Sequence, residues 1–364
     1  MICFFNPDNS DFMKNYFITA IFTVLLAMFI IPTGFAQYST KKVKTKHEQY
    51  TDSLKNVQYD YIFPIWGQKV YKKGFDIPYP VGFMANSIWM KQDLIFSNFQ
   101  LGFQNDNVDI PLTDADFIQF GQNTNKSQNY TIRPDVWVFP FLNVYGLFGA
   151  GSSTTNVNLI TPIDLNTEVV QDFSTKGFGM MLAGGVGPVW ISADFNWTWN
   201  KPKLLDEPVK VSIIGLRVGH TFVFKQKPER NIALWVGGMR AEMASETSGQ
   251  ITLNEALPSD VWDKKDAIVD EYWTWYDGLN PLNPVDRKII EAADKVLTPI
   301  VEAIDNKDGS GTVKYAMDKQ TKQLWNGLVG AQFQLNKHWQ FRTEAGLVGN
   351  RKSFLFSANY RILL

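Results

Sequence analysis

The chain has 364 residues, is 45% hydrophobic and 14% aromatic, and carries a formal net charge of −1. That balance excludes a nucleic-acid binder, which needs a basic surface to neutralise phosphates. The single cysteine, Cys3, precedes the first apolar run, so the rest of the chain offers no disulfide, thiolate ligand or cysteine nucleophile.

That apolar run extends from Phe17 to Ile31, after Met13-Lys14 and before Gly34-Phe35-Ala36-Gln37. A basic start, an apolar stretch and a small-x-small junction read as a secretory signal peptide, with Met13 as its start. The run is shorter than the ~20 residues that span a bilayer. The expected organisation is a leader with an upstream extension over 1–36, a polar periplasmic tail over 37–55 carrying Lys41, Lys42, Lys44 and Lys46, and a body over 56–364 interrupted by an insertion at 242–322. No later segment has ~18 consecutive apolar residues, so no helix is expected to span.

The body alternates. A transmembrane strand needs ~9–11 residues, apolar toward lipid and polar toward the lumen. In chain order the candidates are 56–66, 81–90, 94–104, 131–139, 141–150, 177–186, 189–199, 209–224, 231–241, 323–335, 338–348 and 353–364. In 189–199, Ile191, Ala193, Phe195 and Trp197 oppose Ser192, Asp194, Asn196 and Thr198. In 338–348, Trp339, Phe341, Ala345 and Leu347 oppose Gln340, Arg342 and Glu344. Slipping this segment by one residue would turn Arg342 and Glu344 to lipid, at roughly 2–4 kcal/mol for an arginine at the midplane, so the register is well determined.

Tight turns are expected at Lys91-Gln92-Asp93, Phe139-Pro140, Gly187-Pro188 and Asn336-Lys337-His338, and long polar connections at 105–130, 151–176, 200–208 and 242–322. With the C-terminus facing the periplasm, the tight turns fall inside and the long loops outside. The expected fold is therefore all-β: a transmembrane antiparallel β-barrel of about 12 strands with a partly helical extracellular insertion, located in the outer membrane. Trp197, Trp199, Trp325, Trp339, Phe354 and Tyr360 suit its aromatic girdles. A soluble sandwich also alternates, but it explains neither the leader nor the aromatics near strand ends.

Three stretches carry a resemblance: Asp76-Ile77-Pro78-Tyr79-Pro80-Val81-Gly82, the run from Arg133 to Gly146, and Ala193-Asp194-Phe195-Asn196-Trp197-Thr198-Trp199. They resemble a group of uncharacterised outer-membrane β-barrels of Gram-negative bacteria, and the Gly34–Gln37 junction is similar to signal ends in Bacteroidetes. The resemblance covers about half the mature chain; it implies barrel and location and no activity. Such barrels usually end in Phe or Trp, whereas this chain ends in Leu364.

The insertion does not alternate. Asn283-Pro284 can cap and open a helix, and Val285, Ile289, Ala293, Val296, Ile300 and Ile304 recur at helical spacing, with a kink or stop expected at Pro299. A shorter helix is expected after Ser259. An amphipathic helix must bury its stripe, so the insertion is expected to cap the mouth or plug the lumen. The aromatics Tyr272, Trp273, Trp275 and Tyr276 are candidates for stacking on sugars or resting on lipid, or else for a small core beneath the helix.

The chemistry expected is not catalytic. The three histidines, His47, His220 and His338, stand beside no serine and carboxylate in the arrangement a hydrolase needs, and no HExxH or Walker-type loop is present. No cofactor or metal is expected. The segment Asp305–Gly311 fails the calcium-loop pattern, because Ile304 and Tyr315 fall where carboxylates belong. The functional candidates are inward charges: Arg133, Asp135, Asp194, Arg217, Arg342, Glu344 and Arg361. They can set ion selectivity or pair and close the lumen. The expected function is a channel or transporter for small solutes, with outer-membrane lipid and the barrel assembly machinery as partners. The alternative is a closed structural barrel that presents its 242–322 loop to a partner.

Overall fold

The computed structural model describes residues 46–243, 246–257 and 261–363. The expected leader and Lys41, Lys42 and Lys44 of the expected tail lie outside them.

Before the barrel come two short helices, α1 (Lys46–Leu54) and α2 (Gly67–Lys72). Part of the expected tail is thus helical and tied down: the Tyr50 hydroxyl donates to Asp76 Oδ2 at 2.8 Å, and burial beside that carboxylate pushes its phenol up. The expected strand at 56–66 is absent. Its tyrosines and apolar residues do alternate, but Pro64 lacks a ladder donor, and the Tyr59 hydroxyl bonds the Phe63 carbonyl, folding the segment on itself. The segment is tied to the barrel's lower rim where the Ile65 N–H donates to the Val138 carbonyl at 2.8 Å.

The strands are β1 (Val81–Gln104), β2 (Asp109–Asp114), β3 (Gln119–Phe120), β4 (Asn123–Phe139), β5 (Leu142–Thr161), β6 (Leu165–Val186), β7 (Val189–Pro202), β8 (Val209–Val223) and β9 (Asn231–Met243), followed by β10 (Glu246–Thr252), β11 (Thr312–Thr321), β12 (Trp325–Gln334), β13 (Trp339–Val348) and β14 (Arg351–Ile362). Ten of them close a barrel: β1, β4 to β9 and β12 to β14, all antiparallel. The seam is β1, which pairs β14 from Val81↔Ile362 to Gln92↔Arg351 and β4 from Val81↔Val136 to Leu94↔Asn123.

Ten replaces the expected twelve for two reasons. One is the missing strand at 56–66. The other is that 81–90 and 94–104 are a single strand running straight through Lys91-Gln92-Asp93, which was expected to turn. Those polar residues are part of the wall: Gln92 faces the lumen and accepts from Arg351 Nε at 3.0 Å, while Lys91 faces out between its register partners Lys352 and Lys126. Segment 81–90 therefore runs opposite to the direction expected for it. The connections expected at 105–130 and 151–176 are largely strand, because β4, β5 and β6 continue far above the bilayer.

The exterior is apolar around the wall, with Phe83, Ile191, Leu216, Val218, Leu347 and Phe356 all exposed. Aromatic pairs stand at both ends of this belt: Trp339 with Tyr360 at 4.9 Å near the short-turn end, and Trp89 with Phe354 at 5.9 Å and Phe178 with Trp197 at 5.3 Å toward the long-loop end. A closed wall with an apolar belt and aromatic girdles is built for a bilayer, and the chain is an outer-membrane β-barrel.

The insertion is a cap with strands as well as helices, contrary to the expectation that 242–322 holds none. Between β10 and β11 lie α3 (Leu253–Ala256), α4 (Lys265–Asp277), α5 (Pro284–Ala292) and α6 (Thr298–Asp305). Asn283 caps α5 as expected, its Oδ1 accepting from the Val285 N–H at 2.9 Å. Pro299 does not end the helix. A π-helical turn over Ala293–Leu297 joins α5 to α6, widening the helix just before the residue that cannot donate.

The upper half of β1 builds the cap sheet. It pairs β11 over Leu94–Gln104 and β2 over Gln100–Gln104, and β10 adds to β11. A register shift between Ser97 and Gln100, with Asn98 at φ 50, exchanges the faces of the strand. Below it Gln92 and Leu94 are buried toward the lumen; above it Leu101 and Phe103 enter the cap core. That core gathers Phe103, Leu253, Tyr272, Ala293, Val296 and Val301, and it also takes Ile163 from the β5–β6 tip. Further ties are the bond from the Asp164 N–H to Glu271 Oε1 at 3.0 Å and the bridge between Leu205 and Gly249. The cap thus reaches from β1 across the mouth to the β5–β6 and β7–β8 connections.

Candidate functional site

Alternation carries all seven predicted charges into the barrel, and the structure joins them into one chain of contacts. Arg361 donates from Nη2 to Asp135 Oδ1 at 2.9 Å and from Nε to the Tyr79 carbonyl at 2.6 Å. Asp135 Oδ1 also accepts from Asn143 Nδ2 at 2.7 Å, and Asn143 Oδ1 accepts from Arg133 Nη2 at 3.0 Å. The Arg133 guanidinium lies 3.7 Å from the centre of the Tyr145 ring, whose hydroxyl donates to Asn196 Oδ1 at 2.7 Å. Asn196 Nδ2 donates to Asp194 Oδ2 at 3.0 Å, and Asp194 pairs with Arg217.

Glu344 is the hub of the far half. Its carboxylate accepts from Arg217 Nε at 2.7 Å and Nη2 at 2.9 Å, from Arg342 Nη2 at 2.8 Å and from Trp235 Nε1 at 2.8 Å. A two-pronged arginine–carboxylate pair fixes geometry as well as charge. Lumenal glycines make the room these groups occupy: a Cβ at Gly330 would collide with the Trp235 ring, and one at Gly215 with Asp194 and Arg217. Six of the predicted charges therefore meet in the lower lumen as ion pairs, while Arg133 is joined to them through Asn143 and the Tyr145 ring. Whether this network closes the lumen or sets its selectivity belongs to the proposal below.

Above this floor is a chamber of about 400 Å³. Arg133, Asp194, Arg217, Arg342 and Glu344 line its lower part; Leu94, Thr321, Lys319, Pro202 and Leu205 line it toward the cap. Its lining changes character around the barrel. In the membrane part of β8, Gly215 and Arg217 face in, and Leu216 and Val218 face out. Toward the mouth the apolar face changes sides: Val209, Val211 and Ile213 line the chamber, and Lys210 and Ser212 are exposed. The pairing of β7 with β8 is unbroken from Val189↔His220 to Asn200↔Val209, so the switch is written in side chains, at the apolar pair Ile213-Ile214, and not in a bulge. On β9, Met239 and Met243 continue the apolar lining beside Glu242, whose carboxylate pairs with Arg240 at 2.7 Å.

Sequence reasoning missed Arg351 and Lys319. Arg351 stood between the expected strands 338–348 and 353–364, although β14 begins with it, and Lys319 stood in an insertion read without strands. The signal for Arg351 was available: it keeps the inward phase of Ser353, Ser357, Asn359 and Arg361.

The loop candidates separate. Tyr272 is fully buried in the cap core, its hydroxyl 2.8 Å from Thr298 Oγ1, and is closed to any ligand. Trp275 stacks on Phe117 at 5.8 Å, at the edge of that core. Tyr276 donates to Asp294 Oδ1 at 2.6 Å, which pushes its phenol up to about 12, and Trp273 is exposed beside it. The histidines lie apart: His47 on α1, His220 beside Phe222, and His338 stacked on Tyr360. Among the described residues, no group of three or more His, Cys, Asp or Glu side chains could hold a metal ion.

No family model matches the chain, and no curated protein matches it. It is similar to the transport unit of the autotransporter AIDA-I from Escherichia coli, at 7% identity over 88% of this chain and 100% of that one, with a TM-score of 0.32. It is similar to the beta domain of the Bordetella autotransporter BrkA, at 9% identity over 78% of this chain and 100% of that one, TM-score 0.30. The toluene transporter TbuX of Ralstonia pickettii matches at 8% identity over 79% of this chain and 90% of that one, TM-score 0.27.

Proposed function

We propose that the barrel is a gated transporter for small solutes, closed at both ends at rest, with the chamber as the place where the solute stops. The observation that carries this reading is the chamber itself. Protein interiors pack to crystal density, and a barrel serving only as a wall gains nothing from about 400 Å³ of unfilled space between a charged floor and a folded cap. Ligand pockets occupy ~300–1,000 Å³ and pair apolar walls with a few placed polar groups, which is the lining found here.

In this reading the floor network is the inner gate and the cap the outer one. The mature protein in a planar bilayer should pass little or no current. Glu344→Ala, which leaves Arg217 and Arg342 facing each other across the lumen, should produce discrete steps. Removing 254–310, which keeps β10 and β11 as a hairpin, should raise solute entry into proteoliposomes. Silence in both variants, with folded barrels, would leave a closed structural barrel.

A second reading, a partner-binding barrel, is favoured by one observation. Leu282, in the turn before α5, and Val285, in its first turn, are 90% and 64% exposed. A pull-down that depends on Leu282 and survives closure of the pore would support it. Neither reading assigns the barrel catalytic chemistry.

A further inference from the structure

The chamber holds more positive charge than its floor can match. Arg217 and Arg342 share Glu344, and Arg217 also holds Asp194, so the lower carboxylates are taken. Arg351 is not part of that arrangement. It is 3% exposed, it lines the chamber, and among the described residues its only hydrogen bond is from Nε to the neutral Gln92. Its Nη1 is buried without a partner. Guanidinium stays protonated in proteins, so Arg351 cannot escape burial by losing its charge. An ion held this way costs several kcal/mol unless an anion joins it.

Lys319 lines the chamber on the cap side, its Nζ 5.8 Å from the centre of the Phe96 ring and, among the described residues, in no ion pair. Burial alone pushes its ammonium down to about 8. Facing these cations is the reversed wall: β8 stands four places from β14 in the ring of ten, and there Val209, Val211 and Ile213 turn apolar side chains inward beside Met239 and Met243 of β9. Methionine adapts its shape to ligands of varied outline.

We infer that the chamber takes a small amphipathic anion, its charged head held by Arg351, with Lys319 above it toward the cap, and its apolar body laid along β8 and β9. This rests on the transporter reading and adds the class of solute. A neutral sugar would have no use for the apolar strip. A purely inorganic anion would fill the head position and leave the strip bare. A carboxylate or sulfonate on a short hydrocarbon chain satisfies both.

The probes are octanoate, octanol and acetate, presented by equilibrium dialysis to the full mature barrel in nanodiscs, with empty nanodiscs subtracted. Octanoate should bind saturably, one per barrel, and octanol and acetate each at least about tenfold more weakly. Arg351→Met, which keeps the volume and removes the charge, should weaken octanoate by about tenfold and leave octanol unchanged, and Arg351→Lys should stay within about threefold of wild type. Val211→Asn should weaken octanoate severalfold with Arg351 intact. Retained heat-modifiable gel mobility establishes that each variant is folded. Equal binding of octanoate and octanol, unmoved by Arg351→Met, would overturn the anion assignment and leave a transporter of neutral solutes. No saturable octanoate binding by wild type would also overturn it, and the solute-entry measurement on the 254–310 deletion then decides separately whether the transporter reading stands.

Discussion

The two halves of β8 obey opposite rules on one unbroken strand. Near its periplasmic end the outside is apolar and the inside carries Arg217; near the mouth the outside carries Lys210 and Ser212 and the inside is apolar. The backbone does not change, since the register with β7 and β9 continues through the switch. What changes is the solvent on each side. Lipid outside demands apolar side chains and leaves polar groups to meet within. Once water lies outside, an enclosed interior is the driest surface available, and burial of apolar groups reverses direction. On this side of the barrel the position of the switch therefore marks the upper edge of the bilayer, while elsewhere around the chamber β4 and β7 keep polar inward residues such as Asn125, Ser127, Thr198 and Asn200.

Removing the hub of the lower half should have the largest effect. Glu344→Ala strips the carboxylate from two buried arginines and should cost about 3–5 kcal/mol of folding stability, read by urea titration of the barrel in liposomes, together with the appearance of current. A similar cost confined to the cap tests whether the upper region is a separate core. Tyr272→Ala should remove about 3–5 kcal/mol locally, accelerating amide exchange in α4 and α6 while the barrel strands keep their protection. Spread of that exchange into β12 to β14 would merge the two regions. The switch itself is tested by a pair. Leu216→Arg should cost about 2–4 kcal/mol, because it places a cation in lipid. Lys210→Leu, six residues away on the same face, should move stability by no more than about 0.5 kcal/mol. Equal costs at both positions would put the bilayer edge elsewhere. The smallest effect is Asn283→Ala, which should loosen the first turn of α5 by about 1 kcal/mol, seen as faster exchange at Val285.

Much of this was legible because lipid imposes a period. Ser192, Asp194, Asn196 and Thr198 could be assigned inward from alternation alone, and all seven inward charges proved to touch one network. What could not be read was which of them would meet. Asp135 lies on β4 and Arg361 on β14, and only the closing role of β1 brings them within 2.9 Å. Polar residues also carry two meanings. Lys91-Gln92-Asp93 looks like a turn, yet in a wall that leaves the bilayer the same residues simply face water and lumen. In the reverse error, the alternation of Tyr59, Tyr61 and Phe63 imitates a strand in a segment that folds against its own carbonyls. Strand β11 does alternate, with Val313, Tyr315 and Met317 opposite Lys314 and Asp318, but it is a short segment behind a long helical pattern; β10 has one large apolar residue, Ile251, and too little contrast to read.

β1 is at once the stave that shuts the barrel and the middle strand of the cap sheet, held by β14 and β4 below and by β11 and β2 above. The cap cannot be cut out as a module, since its central strand would leave with the wall. It cannot be transplanted onto another barrel without that barrel's seam. Assembly inherits the same dependence. The partners of β1 in β11 and β14 lie more than 200 residues along the chain, so both the seam and the lid wait for the last exported strands, and an unclosed barrel is also an unlidded one.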